Sequence, residues 1–512
     1  MAKRAVLVAT ILGSAIAFID ATAVNVALPV IQRELGADAA QMQWVVESYQ
    51  LFLSALILLG GSLGDLYGRK RVFLAGTVVF ALGSVGCAVA ADVHVLVAAR
   101  CVQGIGAALA VPQSLALISA TFDGAERGRA IGTWSGFSAM TGAIGPVLGG
   151  VLAQHASWRW VFVINVPIAL IVIAVAWRGV PESRDASAPR RLAVGGALLA
   201  TAALAVLTYG LIAAQDVAHA RGPLALIVLG LALLAAFIAV ERRERAPMIP
   251  LDVFRSRTFS AANAYTLLLY AALGGSLYFL PYLLVDIQNY TPTAAGAAGL
   301  PFVVLMFSLS RWSGGLVARI GARTPLIVGA LLAACGFLAY ARPALDESYW
   351  TSYFPASLLL GLGASFFVAP LTTTVLAAVD TERSGIASGV NNAVARTAGL
   401  IAVAGLGIVL ADVFDAGFDR RIAGRHVSAR TAAIARDDRA RLYAGTVPRD
   451  VPSRDRAAVE AAVRDGYLAG FRGVMLGSVV LCVLAAGTAA LWIPRARGSD
   501  GASTASPSTS SG

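Results

Sequence analysis

The sequence predicts an all-α integral membrane protein, in which two six-helix bundles are joined by two further helices inserted between them. Three observations predict this fold. Hydrophobic residues make up 58% of the 512 residues and charged residues only 13%, unlike the composition of a soluble domain. The chain contains fourteen apolar runs, each about 20 residues long and so able to cross about 30 Å of hydrocarbon as a helix. Finally, a hinge sequence in the first half recurs with the same spacing in the second half.

The apolar runs divide the chain in order. Six runs lie in residues 1–180 and are expected to form an N-terminal six-helix bundle, and two lie in residues 181–245 as the two-helix insertion. The last six lie in residues 246–497 and are expected to form the C-terminal bundle, with an extracytoplasmic loop at about 413–469. Residues 498–512 are rich in Ser and Gly and cannot bury a core, so we expect a disordered cytoplasmic tail.

The basic residues predict the orientation. Outside the 413–469 loop, Lys and Arg concentrate in alternate loops, which the positive-inside rule places in the cytoplasm together with both termini. We therefore expect a multi-pass protein of the inner (cytoplasmic) membrane. The net charge of +11 is spread over short loops without interleaved exposed aromatics, which argues against nucleic-acid binding. The Arg-rich 413–469 loop is the exception, and long translocated segments obey the charge rule weakly.

A polar hinge, GSLGDLYGRKRV, separates the second and third apolar runs. It begins at Gly61 and places Asp65 four residues before Arg69, with Gly64 and Gly68 bracketing a tight turn and Lys70 following. The simplest interpretation is a surface ion pair, worth a few tenths of a kcal/mol. The same spacing recurs in the second half, which indicates two related bundles as in many secondary transporters; the repeated positions are Gly314, Leu316, Gly321 and Arg323.

Asp20, Glu47 and Arg100 fall inside apolar runs of the first half, where a charge is expensive and usually has a function. Asp20 lies past the middle of the first run, so it is a candidate proton carrier, although it could also be a helix-packing residue satisfied by a hydroxyl. Arg100 lies in the fourth run and requires a partner, either Asp20 or backbone carbonyls. Glu47 lies near the outer end of the second run, where a second proton site and a wetted interfacial residue are equally plausible.

These motifs together resemble the major facilitator superfamily, and within it the drug:proton antiporters with fourteen spans, the multidrug efflux type linked to antibiotic resistance. The resemblance covers nearly the whole chain. It implies that the hinge acts as a cytoplasmic gate, that Arg100 is tied to proton coupling, and that Asp20 and Asn25 belong to the first-span motif. It also identifies an exporter motif in the fifth span, although Thr141 replaces a usual glycine; its residues are Gly132, Gly145, Pro146, Gly149 and Gly150.

The remaining polar and aromatic candidates are expected to line a substrate cavity between the bundles: Asn25, Gln103, Asn391, Asn392, Arg396, Tyr278 and Tyr282. The candidates in the second half have alternatives. The aromatic pair could instead be ordinary core, and Arg396 could snorkel from a helix end to the cytoplasmic surface. The segment from Trp158 to Pro167 resembles the sixth-span motif, and its aromatics are expected to anchor the membrane interface.

The sequence offers no energy source other than an ion gradient. Neither of the two lysines, Lys3 and Lys70, follows a glycine, so a Walker A phosphate loop is excluded. No catalytic motif or metal-ligand cluster is evident, so we expect neither an enzyme nor a cofactor beyond the proton gradient. The predicted function is proton-coupled export of small lipophilic or cationic compounds. A proton-coupled metabolite importer and a non-transporting sensor or scaffold remain alternatives. We expect a monomer, with accessory export proteins left open.

Overall fold

The computed structural model describes most of the chain, namely residues 2–184, 194–215, 221–244, 247, 251–342, 348–379, 384–424, 427–437 and 450–494. Helices dominate these ranges and no strand occurs within them, which confirms the predicted all-α fold. The predicted tail, 498–512, lies outside the described residues.

Seven helical segments form the first half, in which α6 and α7 together make one span. They are α1 (Ala2–Leu35), α2 (Ala39–Tyr67), α3 (Arg69–Ala88), α4 (Val93–Thr121), α5 (Gly124–His155), α6 (Trp160–Val163) and α7 (Asn165–Gly179). Side chains define where helices begin. The Asp38 carboxylate accepts from the Gln41 backbone N–H at 2.7 Å, while the Gln41 side chain accepts from the Asp38 N–H at 3.0 Å. This capping box satisfies donors that the first turn of α2 would otherwise leave unpaired.

The two-helix insertion consists of α8 (Val194–Ala213) and α9 (Arg221–Arg243), which pack against each other. Helix α8 also reaches both halves. Its Leu204 belongs to a buried apolar cluster with Leu51 and Ala55 of α2 and Leu400 of the second half. The insertion therefore lies against the seam between the two bundles.

The second half repeats the helical organisation of the first. Its segments are α10 (Arg257–Tyr282), α11 (Pro292–Ala298), α12 (Leu300–Ile320), α13 (Arg323–Tyr340), α14 (Tyr349–Ala377), α15 (Ser384–Gly424), α16 (Ala429–Asp437) and α17 (Ser453–Trp492). A 3-10 turn at Leu251–Arg255 precedes α10, and a π-helical turn at Leu283–Ile287 follows it.

The repeated hinge has the same backbone role in both halves. Gly68 ends α2 with φ +111°, and Gly321 ends α12 with φ +76°. These angles favour glycine because a Cβ would clash with the backbone there. We call the end of the bundles that carries these two turns the hinge end, and the opposite end the far end.

The loop predicted at 413–469 from hydropathy is shorter in the structure. Helix α15 continues to Gly424 and α17 already begins at Ser453, so helix extends into this segment from both sides. The extension packs because apolar residues recur along one face: the rings of Phe414 and Phe418 stack at 5.6 Å, and Val463 is buried.

Twelve of the described helices are long and apolar enough to cross a membrane. Helices α5 and α12 are not among these twelve. The twelve spans fit a multi-pass membrane protein, while the count of fourteen stays a prediction.

Candidate proton-coupling site

Asp20 is fully buried in α1, and three side chains donate to its carboxylate. Arg100 of α4 forms an ion pair with it through Nη1. Gln103 Nε2 donates to Asp20 Oδ1 at 3.1 Å, and Asn165 Nδ2 donates to the same oxygen at 3.0 Å. A carboxylate away from water needs such compensation for its charge. The sequence left two partners open for Arg100, either Asp20 or backbone carbonyls. The structure places Asp20 beside it.

Arg100 has its own set of contacts, which hold its guanidinium in place. The side chain is 1% exposed. Its Nε donates to the Val45 carbonyl of α2 at 3.0 Å, and its Nη1 donates to Gln103 Oε1 at 2.9 Å. The guanidinium also lies 4.3 Å from the centre of the Tyr49 ring, in a cation–π arrangement. Arg100 thus ties α4 to both α1 and α2.

Three members of this network were not predicted from sequence. Asn165, at the start of α7, donates directly to Asp20. Ser84 of α3 accepts from Gln103 Nε2 at 2.7 Å, and the Cys87 thiol donates to Gln103 Oε1 at 3.2 Å. Gln103 therefore lies in the Asp20 network, whereas the sequence placed it in the substrate cavity. The sequence marked Asn165 only as an Asn in an apolar segment that resembles the sixth-span motif, and neither signal pointed to Asp20.

The charge of Asp20 determines whether the buried Arg100 charge is compensated. With Asp20 ionised, the Asp20–Arg100 pair has no net charge. A proton on Asp20 would leave the Arg100 charge uncompensated in a region where charges interact more strongly than in water. A change in the charge of Asp20 would therefore act on the contacts among α1, α4 and α7.

Glu47 lies on α2 but belongs to a different environment. It is 1% exposed, and its Oε2 has no hydrogen-bond partner in the described part of the chain. Glu47 interacts electrostatically with Tyr278 of α10, in the other half. The structure thus buries Glu47 beside the other half, instead of placing it at a wetted surface.

The hinge residues interact with their own half. Arg69 donates to Asp65 Oδ1 through Nε at 2.9 Å and through Nη2 at 2.8 Å. Lys70 donates its backbone N–H to Glu182 Oε1 at 3.0 Å and its ammonium to the Trp177 carbonyl at 2.9 Å. Glu182 was not predicted to take part. The hinge thus binds the last turn of α7 and the segment that follows it.

The fifth-span glycines form close helix contacts at the far end. A methyl group at Gly149 would overlap the Ala23 carbonyl oxygen of α1, and one at Gly150 would overlap the Pro292 carbonyl oxygen of α11. From the other side, Gly296 of α11 approaches the Pro146 carbonyl equally closely. This motif therefore joins α5 both to the helix that carries Asp20 and to the second half. Gly145 likewise faces Thr22 of α1, whereas Gly132 has open space around it.

The other cavity candidates have mixed surroundings. Asn391 Nδ2 donates to Thr266 Oγ1 of α10 at 2.7 Å, and Asn392 donates to a carbonyl of its own helix and is exposed. Asn25 Oδ1 and Arg396 Nε are buried atoms without a hydrogen-bond partner among the described residues.

Residues 10–403 match the family model described as the Major Facilitator Superfamily. The chain belongs to this superfamily. Relatives include the "Multidrug resistance protein Stp" of Mycobacterium tuberculosis, 34% identical over 500 residues that cover 96% of this chain and 92% of the relative. The "Puromycin resistance protein pur8" of Streptomyces alboniger is 35% identical over 398 residues, covering 76% of this chain and 78% of the relative.

Solved structures of the superfamily share the fold. A bacterial homologue of the human lysosomal transporter Spinster, in an inward-facing and occupied conformation, aligns with a TM-score of 0.65 at 18% identity, covering 96% of both chains. The nucleoside transporter NupG aligns with a TM-score of 0.59 at 11% identity, covering 96% of this chain and all of that one. At such identities the likeness concerns the fold alone.

Proposed function

We propose that this protein exports small lipophilic or cationic compounds from the cytoplasm in exchange for protons, by alternating access between its two halves. The observation that carries the proposal is the fully buried Asp20 carboxylate, paired with Arg100 in the middle of the first half. Support also comes from relatives of matching length whose names describe multidrug and antibiotic resistance.

The contacts of α1 suggest how a proton could move the halves. Asp20 lies on the same helix as Ala23, which packs against Gly149 of α5. One residue further along α5, Gly150 packs against Pro292 in the second half. Protonation of Asp20 weakens its attraction to Arg100, and the resulting adjustment of α1 acts on a helix that bridges to the other bundle. Proton binding thus favours one arrangement of the halves over the other.

We further propose that the hinge end faces the cytoplasm, in the inner membrane, and that both termini lie on that side. The described contacts between α5 and α11 lie at the far end, as does the ion pair of Arg33 with Asp286 at 3.9 Å. The charged hinge side chains meanwhile bind within their own half. This is the arrangement expected of an exporter open to the cytoplasm and ready to load. The protein is proposed to work as a monomer.

A susceptibility panel tests the proposed function. Cells with and without the protein are compared for growth in lipophilic and cationic antibiotics, and intracellular accumulation is measured before and after a proton uncoupler. We expect lower accumulation with the protein, reversed by the uncoupler. Higher accumulation of a compound in expressing cells would instead indicate an importer, and unchanged accumulation across the panel would favour a sensor or scaffold.

A further inference from the structure

Two glutamine side chains join the three parts of the chain near the far end. Gln43 lies near the start of α2, in the first half, and Gln215 follows α8 of the insertion. Gln43 Nε2 donates to Gln215 Oε1 at 3.0 Å, and Gln215 Nε2 donates back to Gln43 Oε1 at 2.9 Å. Gln215 Nε2 also donates to the Ala404 carbonyl of α15, in the second half, at 3.3 Å. The insertion is therefore bonded to both halves at once.

Helix α15 of the second half approaches this amide pair closely at Gly407, one turn beyond Ala404. A methyl group at Gly407 would lie 2.5 Å from Gln215 Nε2 and 3.0 Å from Gln43 Nε2. Both distances are shorter than ordinary van der Waals contact. A glycine at this position therefore allows the second half to pack directly on the two amides.

The amide pair is shielded from water in this conformation. Gln43 is 2% exposed, and the pair borders a cavity of about 20 Å³, room for one water molecule. Tyr278 and Tyr282 of α10, which were predicted to line a substrate cavity, line this small cavity from the second half. A buried amide without a partner is costly, whereas an amide in water is not. The mutual bonds of the two glutamines therefore stabilise the closed far end more than an open one.

We infer that Gln215 is an exit-gate residue, through which the two-helix insertion holds the far end closed between export events. The inference rests on the proposed export by alternating access and goes beyond it, because it gives the insertion a part in the transport cycle. Helix α8 also touches both halves through Leu204, but that contact is apolar and not directional. Hydrogen bonds require a defined geometry. As α2 and α15 separate, Gln215 cannot follow both, so at least one set of its bonds breaks.

A distance measurement on the full-length protein in lipid nanodiscs tests the inference without depending on export. Spin labels are attached to ketone-bearing amino acids that replace Ala91 of the first half and Ser348 of the second, both exposed at the far end. Double electron–electron resonance then reports the populations of the closed and open far end. Gln215→Leu leaves the Gln43 amide without its partner in the closed state. We expect this variant to raise the ratio of open to closed about tenfold.

A double variant distinguishes an exit-gate residue from a residue that only stabilises the fold. Gln43→Leu should raise the ratio as Gln215→Leu does. Replacing both glutamines by Leu buries an apolar pair in place of an amide pair, which can be nearly neutral. We therefore expect the double variant to return to within about threefold of the unmodified ratio. The matched control is Gln32→Leu, which removes a buried amide bonded to the Ala37 carbonyl of its own half at 3.2 Å and should not shift the ratio.

Two glycine variants test the same contact from the second half. Gly407→Ala places a methyl group against both amides and should open the far end about as much as Gln215→Leu. Gly405→Ala makes the same change two residues earlier on α15, where there is open space, and should leave the ratio unchanged. Equal ratios for the two variants would contradict the close packing of α15 on the amide pair. Size-exclusion profiles establish that each variant is folded.

The distance and export measurements fail independently. The inference is overturned if Gln215→Leu has the distance distribution of the unmodified protein, or if the effects of the two Leu changes multiply in the double variant. It is also overturned if Gln32→Leu opens the far end as much as Gln215→Leu does. If the unmodified protein exports no compound, the proposed function fails, while the distances still decide whether Gln215 holds the far end closed.

Discussion

Replacing Asp20 by Asn should abolish proton-driven export and destabilise the protein. The Asn side chain has one acceptor oxygen, where Asp20 now accepts from Arg100, Gln103 and Asn165. Arg100 would remain buried, retaining the Val45 carbonyl and the Tyr49 ring. Removing one partner of a buried ion pair costs about 3–5 kcal/mol. Because Arg100 keeps these other contacts, we expect a loss at the lower limit, about 3 kcal/mol of unfolding free energy.

A double-mutant cycle with Arg100→Gln separates stability from transport. Each single change should cost about 3 kcal/mol, and the double change also about 3 kcal/mol instead of about 6, because it leaves no unpaired buried charge. Unfolding in mixed micelles measures the stabilities, and uptake into inverted vesicles measures proton-driven export. The double variant should match the single variants in stability yet remain inactive. Additive stabilities would refute the pairing, and normal export by Asp20→Asn would remove Asp20 from the mechanism.

Three further changes test other contacts. Asp65→Ala should reduce export at least about tenfold if the hinge is a gate. The control Asp123→Ala removes an exposed ion pair of the same spacing and should have little effect on export. Equal effects of the two changes would indicate that Asp65 is only a surface residue. Gly149→Val should abolish export, because its side chain would overlap the α1 backbone, and Gly132→Val should be tolerated; similar export rates for the two would exclude a role for close packing. Asn165→Leu removes one donor to Asp20 and should cost about 1–2 kcal/mol of unfolding free energy, and unchanged stability would contradict that bond.

The charged part of the candidate proton-coupling site was predictable, because a charged residue stands out in an apolar run. Asp20 and Arg100 stand out in apolar runs, and each requires a partner. Asn165 was overlooked because a neutral amide is less expensive in a membrane and no local pattern indicates which helix it faces. Glu182 was overlooked for a different reason: a carboxylate in a polar loop is ordinary, and its contact with Lys70 depends on how distant segments pack.

Hydropathy predicted the general fold. It did not predict where helices end when they extend beyond the membrane. The 413–469 segment is polar and rich in Arg, so the apolar runs appeared to end at its borders. Helices α15 and α17 nevertheless continue into it, because amphipathic periodicity stabilises a helix in water without a continuous apolar run. The contact of the insertion with both halves through Gln215 was likewise invisible, since it joins residues far apart in sequence.

Proton-coupled export is tested most directly by measuring the proton movement that accompanies export. The purified protein is reconstituted in liposomes that contain a pH-sensitive dye, and an exported compound identified from the susceptibility panel is added without an imposed gradient. Antiport predicts that addition of the compound drives protons in the opposite direction in liposomes with the unmodified protein, and that Asp20→Asn shows no such flux. Compound transport by the unmodified protein without any proton flux would contradict proton-coupled export.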